Sequence, residues 1–372
     1  MKLNAKIKDI SAEVNDNILT IWSKTPLRIL SSAVLNGGLQ DANGIINVQV
    51  PEGCGSDKSD VHWSAEDFLN KETQRLQLTK GKVVGLMTAA KMQNIAVNSE
   101  RYDKTDLTVF VTAGSTVAVT AGEPAASKNG VQKKKVGTIN IILLVNGNLT
   151  ESCMVDAVKT ITEAKTVALR ELDIRSQFSG DIASGTLTDS IVVGCTKRGN
   201  SIQYAGTFTM LGELIGKCVR KAVKTALFKQ EKLVPNRTLK ERLAERGISY
   251  EILTSLIFDQ KIMNESINRQ QFQRQIDLII SDKKIAPLII ACLRLDDDLE
   301  KGLIPANATE NIDNISFEDI VQKALRCILS DKDLSLFSNL RQKCSNETIL
   351  GPFTKCLLEV ILKKAHSNII NY

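Results

Sequence analysis

The densest gathering of reactive groups lies at Gly185-Thr-Leu-Thr-Asp-Ser190, one turn ahead of the apolar run Ile191–Cys195. A carboxylate such as Asp189 can orient water or take its proton when partial burial raises its pKa. Thr188 or Ser190 can attack a carbonyl carbon if a base activates the hydroxyl. The same side chains can instead bond to their own backbone as an Asx or Ser/Thr turn. The local sequence supports both readings equally. Glu163 and Glu213 are the other carboxylates considered as partners in such chemistry. Glu163 also fits a solvated helix face, paired with Lys159 one turn earlier. Glu213 also fits the acidic first turn of a helix.

Two Asn-Gly turns follow apolar runs and make candidate binding positions. Asn36-Gly37-Gly38 comes after Arg28–Leu35, and Asn146-Gly147-Asn148 after Ile139–Val145. Glycines after a strand allow a sharp turn or a close approach of backbone to ligand. A helix beginning just past Asn148 would offer free N–H groups to an anion or an amide carbonyl. Ordinary turn formation and helix capping are the competing readings. Met87-Thr88-Ala-Ala90 and Val111-Thr-Ala-Gly114 are small-residue segments at strand ends. They leave room for a broad, flat ligand or for close packing of a helix on a sheet. Thr207, in Tyr204-Ala-Gly-Thr207, is a further candidate contact.

These groups need a framework to hold them. Strand-length apolar runs occur at Ile18–Trp22, Arg28–Leu35, Ile45–Val50, Val83–Thr88, Thr108–Val111, Ile139–Val145 and Ile191–Cys195, most of them bounded by Gly, Asn, Asp or Pro. Ser64 caps a short helix reaching about Leu76. A long helix runs from Thr150 to Leu172, with Met154, Val158, Ile161, Ala164, Ala168 and Leu172 on one stripe. Another helix begins near Leu211. After Lys232 glycine becomes scarce and amphipathic helical segments follow one another: Leu239–Arg246, Tyr250–Asp259, Gln270–Ile280, Ile285–Leu293, Phe317–Leu329 and Ile349–His366. The expected organisation is therefore a mixed α/β domain over 1–232 and an all-α domain over 233–372.

Composition removes several classes of function. Hydrophobic residues make up 43% of the 372-residue chain but aromatics only 4%, so the core is aliphatic and little is available to stack bases. The net charge of +6 is mild, and Lys133-Lys134-Lys135 is the tight basic cluster; neither indicates a nucleic-acid partner. Of the eight cysteines none forms a C-x-x-C pair, and the two histidines, His62 and His366, cannot build a multi-histidine zinc site. No protein-bound metal and no cofactor are expected. No window reaches the ~18 apolar residues of a membrane span, and the charged start Met1-Lys-Leu-Asn-Ala-Lys does not read as a signal peptide. A cytoplasmic protein with reduced thiols is expected. A homo-oligomer is allowed.

Several runs, in order, resemble the adenosylcobinamide amidohydrolase family over roughly residues 25–230. They are Leu30-Ser-Ser-Ala-Val-Leu-Asn-Gly-Gly38, Val84-Gly-Leu-Met-Thr-Ala-Ala90, Val111-Thr-Ala-Gly114, Gly137-Thr-Ile-Asn140, Gly185-Thr-Leu-Thr-Asp-Ser190 and Tyr204-Ala-Gly-Thr207. The resemblance implies hydrolysis of the amide joining aminopropanol to a corrin propionyl arm, yielding adenosylcobyric acid for cobalamin salvage. Cobalt would then arrive only inside the substrate. Such a ligand carries many amides, and Gly, Thr, Asn and backbone groups suit it. The chain departs from the family where Phe208 stands in place of a histidine. That departure favours the alternative of a corrinoid-binding or carrier protein without turnover.

Overall fold

A computed structural model describes residues 1–51, 64–78, 81–103, 105–124, 137–249 and 269–304, together with positions 351, 353, 354, 357, 358, 361 and 365. His62, His366, the lysine run at 133–135 and the segments expected to be helical at Tyr250–Asp259 and Phe317–Leu329 lie outside the described residues. The chain divides into two compact units, Met1–Pro235 and Asn236–Tyr372.

In the first unit the strands are β1 (Lys2–Leu3), β2 (Ile10–Asn15), β3 (Ile18–Ser31), β4 (Gly38–Gln49), β5 (Val83–Thr88), β6 (Ala96–Tyr102), β7 (Thr105–Ala113), β8 (Ala118–Val119), β9 (Ile139–Val145), β10 (Asn148–Leu149), β11 (Gly185–Thr186), β12 (Ser190–Cys195) and β13 (Ser201–Ile202). Its helices are α1 (Ala65–Arg75), α2 (Glu151–Glu171) and α3 (Met210–Glu231). Nine strands form one mixed sheet ordered β1-β2-β3-β12-β9-β7-β6, with β4 and β5 continuing from β3. The pairs β9–β12 and β4–β5 are parallel.

The two apolar runs Ile18–Trp22 and Arg28–Leu35 were expected as separate strands, but they fall in one strand. β3 continues through Lys24-Thr25-Pro26 with a register shift between Trp22 and Leu27. Proline has no N–H to give the ladder, so the break falls there. Residues 18–23 of β3 pair with β2, while residues 28–31 pair with β12. The strand thus passes from one sheet layer to the other, as corner strands do.

Alternation along the strands then explains four layers. Ile141, Leu143 and Val145 of β9 join Val109, Val111, Val193 and the inner faces of α2 and α3 in one apolar cluster. Ile142 and Leu144 point the other way, with Phe110 and Val192, onto Leu19, Ile21, Ile29, Ile45 and Leu86. Ile46, Val48 and Val83 face outward and are covered by Leu69 of α1. The order is helices, sheet, sheet, helix. Every residue of β9 is buried because both its faces are covered. β2 and β6 fell outside the expected strands because polar residues occupy their exposed positions.

The helices of the first unit start where the sequence offers a cap. The hydroxyls of Ser64, Thr150 and Thr209 accept bonds from the N–H groups of Asp67, Cys153 and Gly212. Lys159 bonds to Asp156 at 2.8 Å rather than to Glu163, correcting the pairing expected on α2. In the second unit the described helices Leu239–Glu245, Arg269–Ile280 and Ile285–Glu300 bury Leu243, Phe272, Ile276, Ile289 and Leu293 in one cluster. Cys153, Cys195, Cys218 and Cys292 are free thiols. Burial pushes Cys153 up to about 11 and Cys218 and Cys292 up to about 12, so these three are inert.

Candidate active site

The space between the two sheet layers ends in polar residues where β9 begins. Alternation sends Asn47, Thr88, Thr112 and Asn140 to the face shared with Ile45, Leu86, Phe110 and Ile142, and each is at most 2% exposed. Asn140 donates through Nδ2 to the Asn47 side chain at 3.0 Å and to the Met87 carbonyl at 2.7 Å. Asn47 donates in turn to Thr112 at 2.9 Å. The Thr88 hydroxyl accepts from the N–H of Ala90 at 3.1 Å. Ser190 is the partner of Asn140 on the neighbouring strand, and its hydroxyl meets that of Ser32 at 3.1 Å. One step further out, the hydroxyls of Thr138 and Thr188 are 2.6 Å apart. Thr188 reaches solvent, while Thr138 is buried.

Asp189 turns to the opposite, helical side of the sheet. There it meets Lys165, which sits on the buried face of α2. Their side chains are only 9% and 13% exposed, Lys165 first. The carboxylate takes four bonds: from Lys165 Nζ, from the Thr186 hydroxyl, from the Thr186 N–H at 3.1 Å and from the Ile139 N–H at 3.0 Å. All its strong acceptor positions are therefore occupied. Gly185 makes room for this pair. A Cβ there would lie 2.5 Å from Asp189 Oδ2 and 2.8 Å from Lys165 Nζ. Glycine at this turn is needed for space, and β11 pairs with β8 beside it.

The sequence candidates divide between two ends of the sheet. Thr188, Asp189, Ser190 and Thr88 gather where β9 and β12 start. The turn Asn36-Gly37-Gly38 returns β3 to β4 beside Ser31, itself paired with Val192. Asn36 and Gly38 have φ of 53° and 84°, and Asn36 bonds to the Val83 carbonyl at 2.7 Å. These residues are occupied in making the turn.

Asn146, Asn148, Thr207 and Glu213 lie at the other end, roughly 20 Å away along β9. Asn146 accepts from the Thr196 hydroxyl at 3.1 Å. Asn148 is not at a helix start: it enters β10, paired with Ser201, and Thr150 caps α2. Thr207 is exposed, and Glu213 pairs with Lys217 on the surface of α3. Glu163 is exposed on α2, on the face away from Lys165. A cleft of about 340 Å³ at this end is lined by Tyr102, Thr105, Ile202, Tyr204, Met210 and Leu214 among others. It is mostly apolar and lies at the opposite end of β9 from Asp189.

Sequence reasoning missed Lys165, and it did not name Thr138, Asn140 or Thr186 as site residues although the runs it singled out contain them. Lys165 carried a signal: it is a charge on the apolar stripe, one turn from Ile161 and next to Ala164. Among the described residues no three His, Cys, Asp or Glu gather as metal ligands do. No described helix is long and apolar enough to cross a membrane. What remains is a charged pair behind a row of hydroxyl and amide groups. That set can bind amides and move protons at one edge of a sheet.

Comparison with known proteins identifies the family to which the first unit is similar. The sequence profile of the adenosylcobinamide amidohydrolase family matches residues 2–235. An uncharacterized protein of Methanocaldococcus jannaschii is 38% identical over 183 residues, covering 45% of this chain and 71% of that protein. The adenosylcobinamide amidohydrolase of Methanosarcina mazei is 32% identical over 205 residues, covering 53% of this chain and 88% of that enzyme. Among solved structures, a β-aminopeptidase of Burkholderia sp. aligns with a TM-score of 0.29 and 11% identity, covering 61% of this chain and 82% of that one.

Proposed function

This chain belongs to the adenosylcobinamide amidohydrolase family, and on that footing we propose that it cleaves the amide joining aminopropanol to the corrin ring of adenosylcobinamide. The products would be adenosylcobyric acid and aminopropanol, returned to cobalamin synthesis in the cytoplasm. One observation carries the reading. The runs around Met87, Thr112, Asn140 and Asp189, distant in sequence, meet at one end of the sheet beside a buried Lys165–Asp189 pair.

The residues suit the bond to be broken. Hydrolysis adds a hydroxyl to the amide carbon and must deliver a proton to the departing nitrogen. Thr188 is the exposed hydroxyl at the reacting edge; it holds the attacking water, or attacks the carbonyl itself, in which case the amine leaves and a water then hydrolyses the acyl-Thr188 ester. Because Asp189 faces the other side of the strand, a water at the strand edge is proposed to relay the released proton to it, the Thr186 hydroxyl rotating off the carboxylate to open an acceptor position. Lys165 supplies the proton to the leaving amine. Thr88, Asn140 and Ser190 provide the neutral donors and acceptors that a ring edged with amides requires. With two histidines in the sequence, the reaction is proposed to need no protein-bound metal, cobalt coming with the substrate. Residues 233–372 are proposed as a separate helical domain that adds nothing to this site.

The second reading, corrinoid binding without turnover, rests on Phe208. Phe208 is fully exposed, two residues before the start of α3. Purified protein incubated with adenosylcobinamide, with and without EDTA, separates the two. Free aminopropanol in both samples supports the hydrolase. A shift in visible absorbance without aminopropanol selects the binding protein.

A further inference from the structure

Asn140 Oδ1 is buried without a hydrogen-bond partner, although the rest of the side chain is fully engaged. Its orientation is fixed by chemistry. The Met87 carbonyl can only accept, so the atom 2.7 Å from it is the amide nitrogen. The second N–H goes to Asn47 at 3.0 Å. Both donors are spent on holding the group in place, and the oxygen is left as an acceptor. A buried acceptor without a donor is costly, and native proteins keep few of them. Its position is also informative. Ser190 lies opposite on the adjacent strand and is partly exposed, and Thr188, one row out, is open to solvent. Asn140 thus belongs to the row of polar residues whose outer edge carries the exposed Thr188 hydroxyl.

We propose that Asn140 is a substrate-positioning residue whose Oδ1 accepts an N–H bond from an amide of the corrinoid, setting the scissile carbonyl against Thr188. This inference rests on the hydrolase reading given above. It assigns the ligand chemistry as an N–H donor: a carboxamide or a secondary amide, not an ester or a carboxylate. Asn47 and Thr112 serve to hold Asn140 and do not touch substrate.

The test compares Asn140→Leu with Ile46→Ala in the full-length protein. Ile46 is buried on the outer face of β4 under α1, so both substitutions lower thermal stability but only the first touches the polar row. Binding of adenosylcobinamide is followed by visible absorbance and turnover by aminopropanol release. Asn140→Leu is expected to raise Kd and KM by about 10-fold or more, because the substrate amide loses its acceptor. Ile46→Ala is expected to leave both within about 3-fold, a difference under one hydrogen bond's worth. If the two variants bind alike while the wild type cleaves, the positioning role is wrong and the hydrolase reading stands. A wild type that neither binds nor cleaves adenosylcobinamide overturns both. A crystal structure of the corrinoid complex with a water retained on Asn140 Oδ1 overturns the positioning role alone.

Discussion

Lys165 reaches from the buried face of α2 to the carboxylate of Asp189, and the two side chains are 9% and 13% exposed. An ion pair so placed is a poor device for stability, because taking both charges from water offsets most of their attraction. An apolar pair of similar volume would hold helix to sheet as well. Its presence beside exposed hydroxyls is the reason this end of the sheet is proposed as the reaction site.

Replacing one partner has effects of two kinds. Asp189→Asn turns an N–H₂ group toward groups that only donate and leaves Lys165 buried and unpaired. We expect a loss of about 3–5 kcal/mol of stability together with turnover. That single variant cannot separate structure from chemistry, but the double variant Lys165→Met, Asp189→Leu can. It should regain near wild-type stability in urea titration while releasing no aminopropanol. Recovery of activity along with stability would make the pair structural.

Glycine substitutions give a sharper local contrast. Gly185→Ala forces a methyl against both charged groups, and activity should fall by roughly 100-fold or more, as expected when a general acid–base pair is displaced. Gly216 lies inside α3 with open space where a Cβ would go. Gly216→Ala should raise stability by about 0.5–1 kcal/mol without touching turnover. Thermal melts and rate measurements on the two variants check both statements.

The link between α2 and α3 should titrate. Glu171 bonds to Lys224 at 2.6 Å and also to Arg220, and these bonds, Lys224 first, hold its carboxyl below the usual value of 4.5. A depressed carboxylate stabilises the fold above its unfolded pKa, and the contribution is lost as pH falls through the folded value. Glu171→Gln should therefore cost about 0.5–1 kcal/mol at pH 7 and progressively less below pH 4.5. A cost that is the same at both pH values would remove the ion pair from the account.

The helical region offers a fourth prediction. α3 ends at Glu231, whose carboxylate bonds to the Ser115 N–H at 2.7 Å, and Gln230 bonds to Asn94 at 2.8 Å. These contacts lie within residues 1–235, which also span the family match. A protein ending at Pro235 should fold and release aminopropanol at close to the full-length rate. An inactive but folded product would give the helices a part in the site.

The strands and helices were legible because their signals are local. Both faces of β9 are covered, so apart from Asn140 it reads as an apolar run, and Thr150 caps α2 as its hydroxyl suggests. The site was only half legible. Gly185–Ser190 stood out as a cluster in sequence, but Lys165 comes from a helix 20 residues earlier, and Asn140 and Asn47 meet only because β3 and β4 bend over the sheet. Local patterns also grouped Asn146, Asn148, Thr207 and Glu213 with Asp189, although strand direction puts them at opposite ends. Sequence shows which residues can react, and the path of the chain decides which of them meet.

On the proposed reading, amide hydrolysis takes place at the strand edge where Thr188 and Asp189 face opposite sides. The direct measurement is the rate of aminopropanol release from adenosylcobinamide by the wild type and by Thr188→Val, which keeps the shape and removes the hydroxyl. We predict steady release by the wild type, a fall of at least ~100-fold in the variant, and corrinoid binding changed by no more than a few-fold. Equal rates from the two proteins would place the chemistry elsewhere and contradict the account.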